Sequence, residues 1–183
     1  AGIEVTFNVN ARDRFGNLRD EGGPKFDVRA IGNHTWAHSN VSGVITYESG
    51  GKYLGFITLY VSGNHRLYIT SNGTLIDNGM ARYLNVLPAS VSLESTVSNA
   101  ILATAGLIYT FYIQAKDEFS NNRTQGGGQF LSQIVYLDGP LDIIIADVVD
   151  LYRGQFSAVF TPTVAGAYAV FVQLDGTDLL RSP

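Results

Sequence analysis

The chain has 183 residues, a formal net charge of −4, 45% hydrophobic residues, 20 Gly, 10 Tyr, 10 Phe and no Cys, a composition of folded, strand-rich protein rather than of a disordered one. Its 12 Lys and Arg are scattered, which leaves no basic stripe for a phosphate backbone, and no apolar run approaches the roughly 20 residues of a membrane span. Nucleic acid binding and membrane insertion are therefore not expected, and zero Cys removes disulfides and thiolate metal sites without assigning a compartment.

In chain order, Val5, Phe7, Val9 and Ala11 interleave with Thr6, Asn8 and Asn10. That period of two predicts a strand with one face on a core and the other in water. Asp13-Arg14-Phe15-Gly16-Asn17 follows, with an Asp able to accept backbone N–H groups and an Asn tolerant of positive φ, so a tight corner is expected. Gly22-Gly23 ends that connection, and Phe26, Val28 and Ala30 then alternate with Lys25, Asp27 and Arg29 as a second strand. Leu67 and Ile69 alternate with Arg66, Tyr68 and Thr70 after Gly63. Residues 81 to 104 carry a last strand, Pro88 as a stop, and a Ser-rich strand that opens the second half.

The second half repeats the first. Thr6, Phe7, Asp13, Phe15, Asn17 and Gly22-Gly23 align with Thr110, Phe111, Asp117, Phe119, Asn121 and Gly126-Gly127 at a spacing of 105 − 1 = 104 residues. Gly51, Thr58, Val61, Gly63, Gly73 and Thr74 align with Gly154, Thr161, Val164, Gly166, Gly176 and Thr177 at 154 − 51 = 103. Repeats of that length are domains with their own cores, not solenoid units. About seven short strands per copy separated by turns predict an all-β protein of two tandem Ig-like β-sandwiches, 1–88 and 89–183. Tyr168 stands where a ring can pack inside and return its hydroxyl to the backbone, as in a tyrosine corner; His65, its counterpart, lacks that hydroxyl.

Four N-glycosylation sequons fall in turns or loops, at Asn33, Asn40, Asn72 and Asn122. They read either as N-linked glycan sites of a secreted protein or as unused polar loop residues. His34 and His38 have the i, i+4 spacing of a helical metal pair, but their Gly, Asn, Thr and Ser neighbours favour a loop. Asp138, Asp142, Asp147 and Asp150 are separated by apolar residues, which suits turns and strand surfaces better than calcium. Trp36 either caps the local core or anchors a partner. The apolar segment 141–149 fits a buried strand or a surface covered by a neighbour. No nucleophile elbow, phosphate-binding loop or zinc-protease helix is present, so no catalytic residue and no cofactor is expected.

Gly154, Phe156, Thr161-Pro162, Gly166, Tyr168, Gly176 and Ser182-Pro183, together with Phe111, Asp117, Asn121, Gly126-Gly127 and Phe130, give the second copy a pattern that resembles the filamin-type immunoglobulin-like repeat. The first copy departs from it at Leu59, His65 and Asn78-Gly79, in place of the Pro, Tyr and Ser-Pro. The Asp-x-x-Gly-Asn corner is also similar to that of bacterial surface Ig-like repeats related to invasin and intimin. The resemblance implies a scaffold, adhesion or mechanical role with no catalytic residues. It also implies a groove beside strands C and D, here 25 to 31 with 42 to 48 and 129 to 136 with 142 to 149, where partner peptides add by β-augmentation. Against that pattern the first copy is expected to lack its first strand and the second its last. Such open edges belong either to an excerpt of a longer array or to subunits that complete one another head to tail. The expectation is a structural or adhesive rod segment, extracellular or at the cell surface, partnered by copies of itself or neighbouring repeats, by a β-strand at an open edge and by N-linked glycans. The alternative is an intracellular filamin-like actin-crosslinking or scaffold segment that binds partner peptides.

Overall fold

The computed structural model describes residues 1–33, 40–76, 79–98 and 103–180. The chain divides into two compact units, Ala1–Leu87 and Pro88–Pro183, and the described residues form no α-helix.

In unit 1, β1 (Glu4–Asn10), β5 (Lys52–Thr58) and β4 (Val44–Ser49) form one antiparallel sheet in the order β1-β5-β4. The second sheet runs β3 (Asn40–Ser42), β2 (Phe26–Gly32) and β6 (Gly63–Ser71), with β7 (Thr74–Leu75) and β8 (Arg82–Val86) both pairing β6. Alternation sends Val28, Ala30, Ile57 and Leu67 into the core, where Leu59 joins them. A second cluster at the other end holds Val9, Ala11 and Tyr53, with the Phe26 ring edge-on to Tyr53 at 4.8 Å. Between the two clusters lies Phe7, whose ring needs the space over Gly55, since a Cβ there would stand 2.2 Å from it.

Unit 2 consists of β9 (Ser92–Val97), β10 (Tyr109–Lys116), β11 (Phe130–Tyr136), β12 (Ile143–Asp150), β13 (Gln155–Phe160), β14 (Tyr168–Leu174) and β15 (Thr177–Asp178). Its hydrogen-bonded order is β15-β14-β11-β12-β13-β10-β9. The path is continuous because β12 changes sheets midway. Ile143 to Ala146 pair with β11, and Asp147 to Asp150 pair with β13. In unit 1 the same crossing is divided between β3 and β4 at Gly43, whose N–H bonds to the Val28 carbonyl at 3.1 Å. A Cβ on Gly43 would lie 2.3 Å from the Phe56 carbonyl oxygen, so only glycine passes between the two sheets there. Buried residues of unit 2 form one cluster around Ile113, Ile134, Ala158 and Val172.

The hairpins also repeat. Asn72 and Gly73 have φ of 50° and 80°, and Asp175 and Gly176 have 50° and 83°. Positive φ at both central residues is the condition for a two-residue turn that matches strand twist.

Candidate functional site

The corners after β1 and β10 are held by several hydrogen bonds to a single aspartate each. The Asp13 Oδ1 accepts the N–H groups of Phe15 at 2.8 Å and Asn17 at 2.9 Å, and Asn17 Nδ2 reaches Oδ2 at 3.1 Å. These donors, the Asn17 side chain first, hold the exposed Asp13 carboxyl below its ordinary value of 3.8. Asp117 receives Phe119 N–H at 3.0 Å, Asn121 N–H at 2.9 Å and both contacts from Asn121 Nδ2. It also receives the Ala89 N–H at 2.8 Å, and it is 0% exposed. Arg123 Nη1 donates to the Ala89 carbonyl at 2.6 Å, so this one residue of the segment before β9 is held through both its N–H and its C=O. Both carboxylates are thus structural groups whose lone pairs are used on backbone.

The paired glycines that end each corner are held by unlike groups. Gly23 N–H donates to the Tyr53 hydroxyl at 3.1 Å, and the Tyr47 ring lies against the Gly22 position. Gly127 N–H donates to Asp150 Oδ2 at 3.0 Å, while Asp150 Oδ1 accepts Tyr152 N–H at 2.7 Å. Asp138 is likewise engaged, its Oδ2 accepting the Ala167 N–H at 2.6 Å. The sequence reading of these aspartates as turn and strand-surface residues agrees with their places, Asp138 in the bend after β11 and Asp150 at the end of β12. No group of three or more His, Cys, Asp or Glu is placed to hold a metal ion among the described residues. No helix of the described residues is long and apolar enough to cross a membrane.

Tyr168 makes the expected corner, its hydroxyl donating to the Val164 carbonyl at 2.8 Å. His65 is buried at the equivalent place, with Nδ1 3.2 Å from the Gly63 carbonyl oxygen and Nε2 without a hydrogen-bond partner.

All four sequon asparagines are exposed. Asn33 follows β2, Asn40 opens β3, Asn72 turns the β6–β7 hairpin, and Asn122 lies beyond the Asp117 corner in a bridge to Lys116. Asn40 accepts a hydrogen bond from Arg29 Nε through its side-chain oxygen. His34, Thr35, Trp36 and His38 lie outside the described residues, as do Asn78, Ser182 and Pro183.

The edges decide where a partner strand could add. β2 is flanked by β3 and β6 along Arg29 to Ile31, and β11 by β12 and β14 along Ser132 to Val135. Backbone pairing is therefore already satisfied on both sides of β2 and β11 at those positions, in unit 2 by β12, which is itself the 142 to 149 stretch. Elsewhere the two units differ. β10 carries β9 on its outer side, with Ile113 opposite Val97 and Lys116 opposite Ser92, whereas β1 pairs only β5 among the described residues. β6 carries β8 from Gly63 to Leu67, whereas β14 pairs β15 only at Gln173 and Leu174. Among the described residues, the edge that is supplied in each unit is the one without that strand in the other.

The outward faces of the β3-β2-β6 and β12-β11-β14 sheets differ as sharply. Arg29 lies between Ser42 and Tyr68, and beside them Asp27 faces Thr70. This polar face holds a shallow cavity of about 600 Å³ lined by Asp27, Arg29, Ser42, Tyr68 and Thr70 among others. At the matching places of unit 2, Gln133 lies between Ile145 and Phe171, and Val135 between Ile143 and Ala169. Ile143 and Ile145 are 45% and 56% exposed. Periodicity alone leaves 141–149 open between a buried strand and a surface covered by a neighbour. Ala146 is buried, but the odd-numbered apolar residues 141, 143, 145 and 149 face solvent.

No family model matches the chain. Its structure overlays FdeC, an Escherichia coli adhesin, with a TM-score of 0.51 at 19% identity, covering 100% of this chain and 58% of that one. It overlays invasin, a bacterial integrin-binding protein, with a TM-score of 0.50 at 19% identity, covering 95% of this chain and 34% of that one. In sequence, 68 residues are 35% identical to the dynein alpha chain of the flagellar outer arm of Chlamydomonas reinhardtii, 37% of this chain and 2% of that protein. The chain spans only part of each of these proteins. The overlays establish the fold, an all-β pair of Ig-like sandwiches.

Proposed function

We propose that the chain is a non-catalytic structural or adhesive rod segment, displayed outside the cell or at its surface. The observation that carries this reading is the overlay on a solved adhesin, which covers 100% of this chain. The exposed asparagines supply a second support, because Asn33, Asn40, Asn72 and Asn122 stand where oligosaccharide would project into solvent. The finer reading is a filamin-type repeat array, or fibre, whose repeats are completed by strands from their neighbours. Strand-for-strand comparison favours it: residues equivalent to Arg82–Val86 would lie along β14, and residues equivalent to Ser92–Val97 along β1. Repeated head-to-tail completion that does not close generates a filament.

Intact-mass measurement of native-source protein before and after glycosidase treatment, with electron microscopy of the same material, tests this reading. Glycan mass and filaments or surface layers are expected. Bare asparagines on an intracellular, unassembled protein would overturn it. The sequence match to a flagellar dynein chain favours a second reading, an intracellular scaffold segment, possible without any glycan. That reading expects all four asparagines unmodified and partner peptides bound at strand edges other than Arg29 to Ile31 and Ser132 to Val135, where β2 and β11 already pair on both sides.

A further inference from the structure

The outward face of the β12-β11-β14 sheet has eight positions, and the same eight exist on the β3-β2-β6 sheet of unit 1. In unit 2 none of the eight is charged: the six apolar residues are interrupted only by Gln133 and Gln173. In unit 1 the matching places include Asp27, Arg29 and Arg66, and a sequon asparagine, Asn40, occupies the place of Ile143. One framework has therefore been given a water-facing surface in one unit and an apolar one in the other. Outward strand positions normally carry polar residues when they face only water. We propose that this face of unit 2 is a lateral contact that pairs with the same face of a second copy of the chain, about a two-fold axis.

Charge selects that occupant. Pairing the face with itself buries no charge, because Asp142, Asp147 and Asp178 stand at the rim, outside the eight positions. Pairing it with the corresponding face of unit 1 would bury Asp27, Arg29 and Arg66 against aliphatic side chains, at a desolvation cost with no compensating partner. Gln133 and Gln173 do not oppose self-pairing. Gln173 Nε2 is already bonded to Asp178 Oδ1 at 3.0 Å, and a central Gln133 meeting its own symmetry mate offers donor to acceptor.

Size sets the strength. Three strands about 4.8 Å apart and seven residues at about 3.3 Å each cover roughly 300 Å² per partner, below the roughly 800 Å² of a durable complex. Isolated chains should therefore pair weakly, with a dissociation constant of about 0.1 to 1 mM. Arrays carrying several such faces would gain from multivalency. The contact is independent of whether the open edges of β1 and β14 are completed by neighbouring strands, because it uses a sheet face and not a sheet edge.

Sedimentation equilibrium of the 183-residue chain from micromolar to about 2 mM tests the proposal. A monomer–dimer equilibrium is expected, little changed by salt and weakened about 10-fold or more by Ile145→Lys or Phe171→Lys. Ile145→Thr with Phe171→Thr keeps strand propensity and should give the same loss, which separates a lost contact from a damaged fold. Tyr68→Lys, on the equivalent face of unit 1, should leave the equilibrium unchanged. A chain that stays monomeric throughout, a dimer indifferent to both Thr substitutions, or a dimer broken by Tyr68→Lys would overturn the proposal.

Discussion

Asp13 and Asp117 occupy the same turn of the same blueprint and make the same local hydrogen bonds, yet one is open to water and the other is sealed. The difference comes from the strand laid beside it. In unit 2 the segment leading into β9 crosses the corner and donates Ala89 N–H to the carboxylate, whereas β1 has no such neighbour among the described residues. The core follows the same division. Unit 2 packs one cluster in which Ile134 fills the centre, while unit 1 has Ala30 at that position and two separate clusters. A corner crossed by a neighbouring segment is thus a different physical object from its sister, even where turn chemistry is identical.

Substitution at the paired core positions should break this comparison most strongly. Ile134→Ala is expected to cost unit 2 about 3 kcal/mol through lost burial and a cavity. Ala30→Ile should cost unit 1 about 1 to 3 kcal/mol by overpacking. Unit-resolved NMR peak intensities across a urea titration would check both. Next is the corner itself. Asp117→Ala takes their shared buried acceptor from the part-buried N–H groups of Ala89, Phe119 and Asn121 and should destabilise unit 2 by about 3 kcal/mol, with a visibly smaller loss for Asp13→Ala, read by the same titration.

Smaller effects sharpen the picture. Tyr168→Phe removes one hydroxyl bond and should lower the stability of unit 2 by about 1 kcal/mol. The smallest effect concerns acid. The Asp13 carboxyl is depressed by its Asn17 donors, so its stabilising contribution is present above the unfolded value near 3.8 and is lost as pH falls through the lower folded value. Carbon-detected titration should find Asp13 below 3.8, and Asn17→Ala should return it towards that value.

Much of this was legible in the sequence because it rests on local rules. Period-two alternation located β1, β2, β6, β10 and β14, and the Asp, Asn and Gly of the corners and hairpins announced their turns. The tyrosine corner at Tyr168 followed from a single residue. What could not be read depends on long-range pairing. Residues 143 to 149 show no polar alternation, so nothing in their order reveals which side faces the core. Gly43 looks like an ordinary turn glycine, although it marks the place where a strand leaves one sheet for the other. The two-sided pairing of β2 and β11 is likewise a property of register, which no residue declares alone. Among the site residues, the exposed places of Asn33, Asn72 and Asn122 agree with loop and turn signals, whereas Asn40 opens strand β3 instead of lying in a loop, and the contrast between the two outward faces emerges only when the two units are laid strand on strand.

The passage of β12 from one sheet to the other bears on how each unit responds to tension. In unit 2 a ladder of backbone bonds runs without interruption through all seven strands, so sliding one layer across the other requires tearing β12 from a neighbour. In unit 1 the corresponding ladder is divided at Gly43, leaving two layers joined there by a single glycine. A pulling force shared along the polypeptide would find its weak link in the first unit, which would yield in two stages, while the second held until its crossing strand gave way.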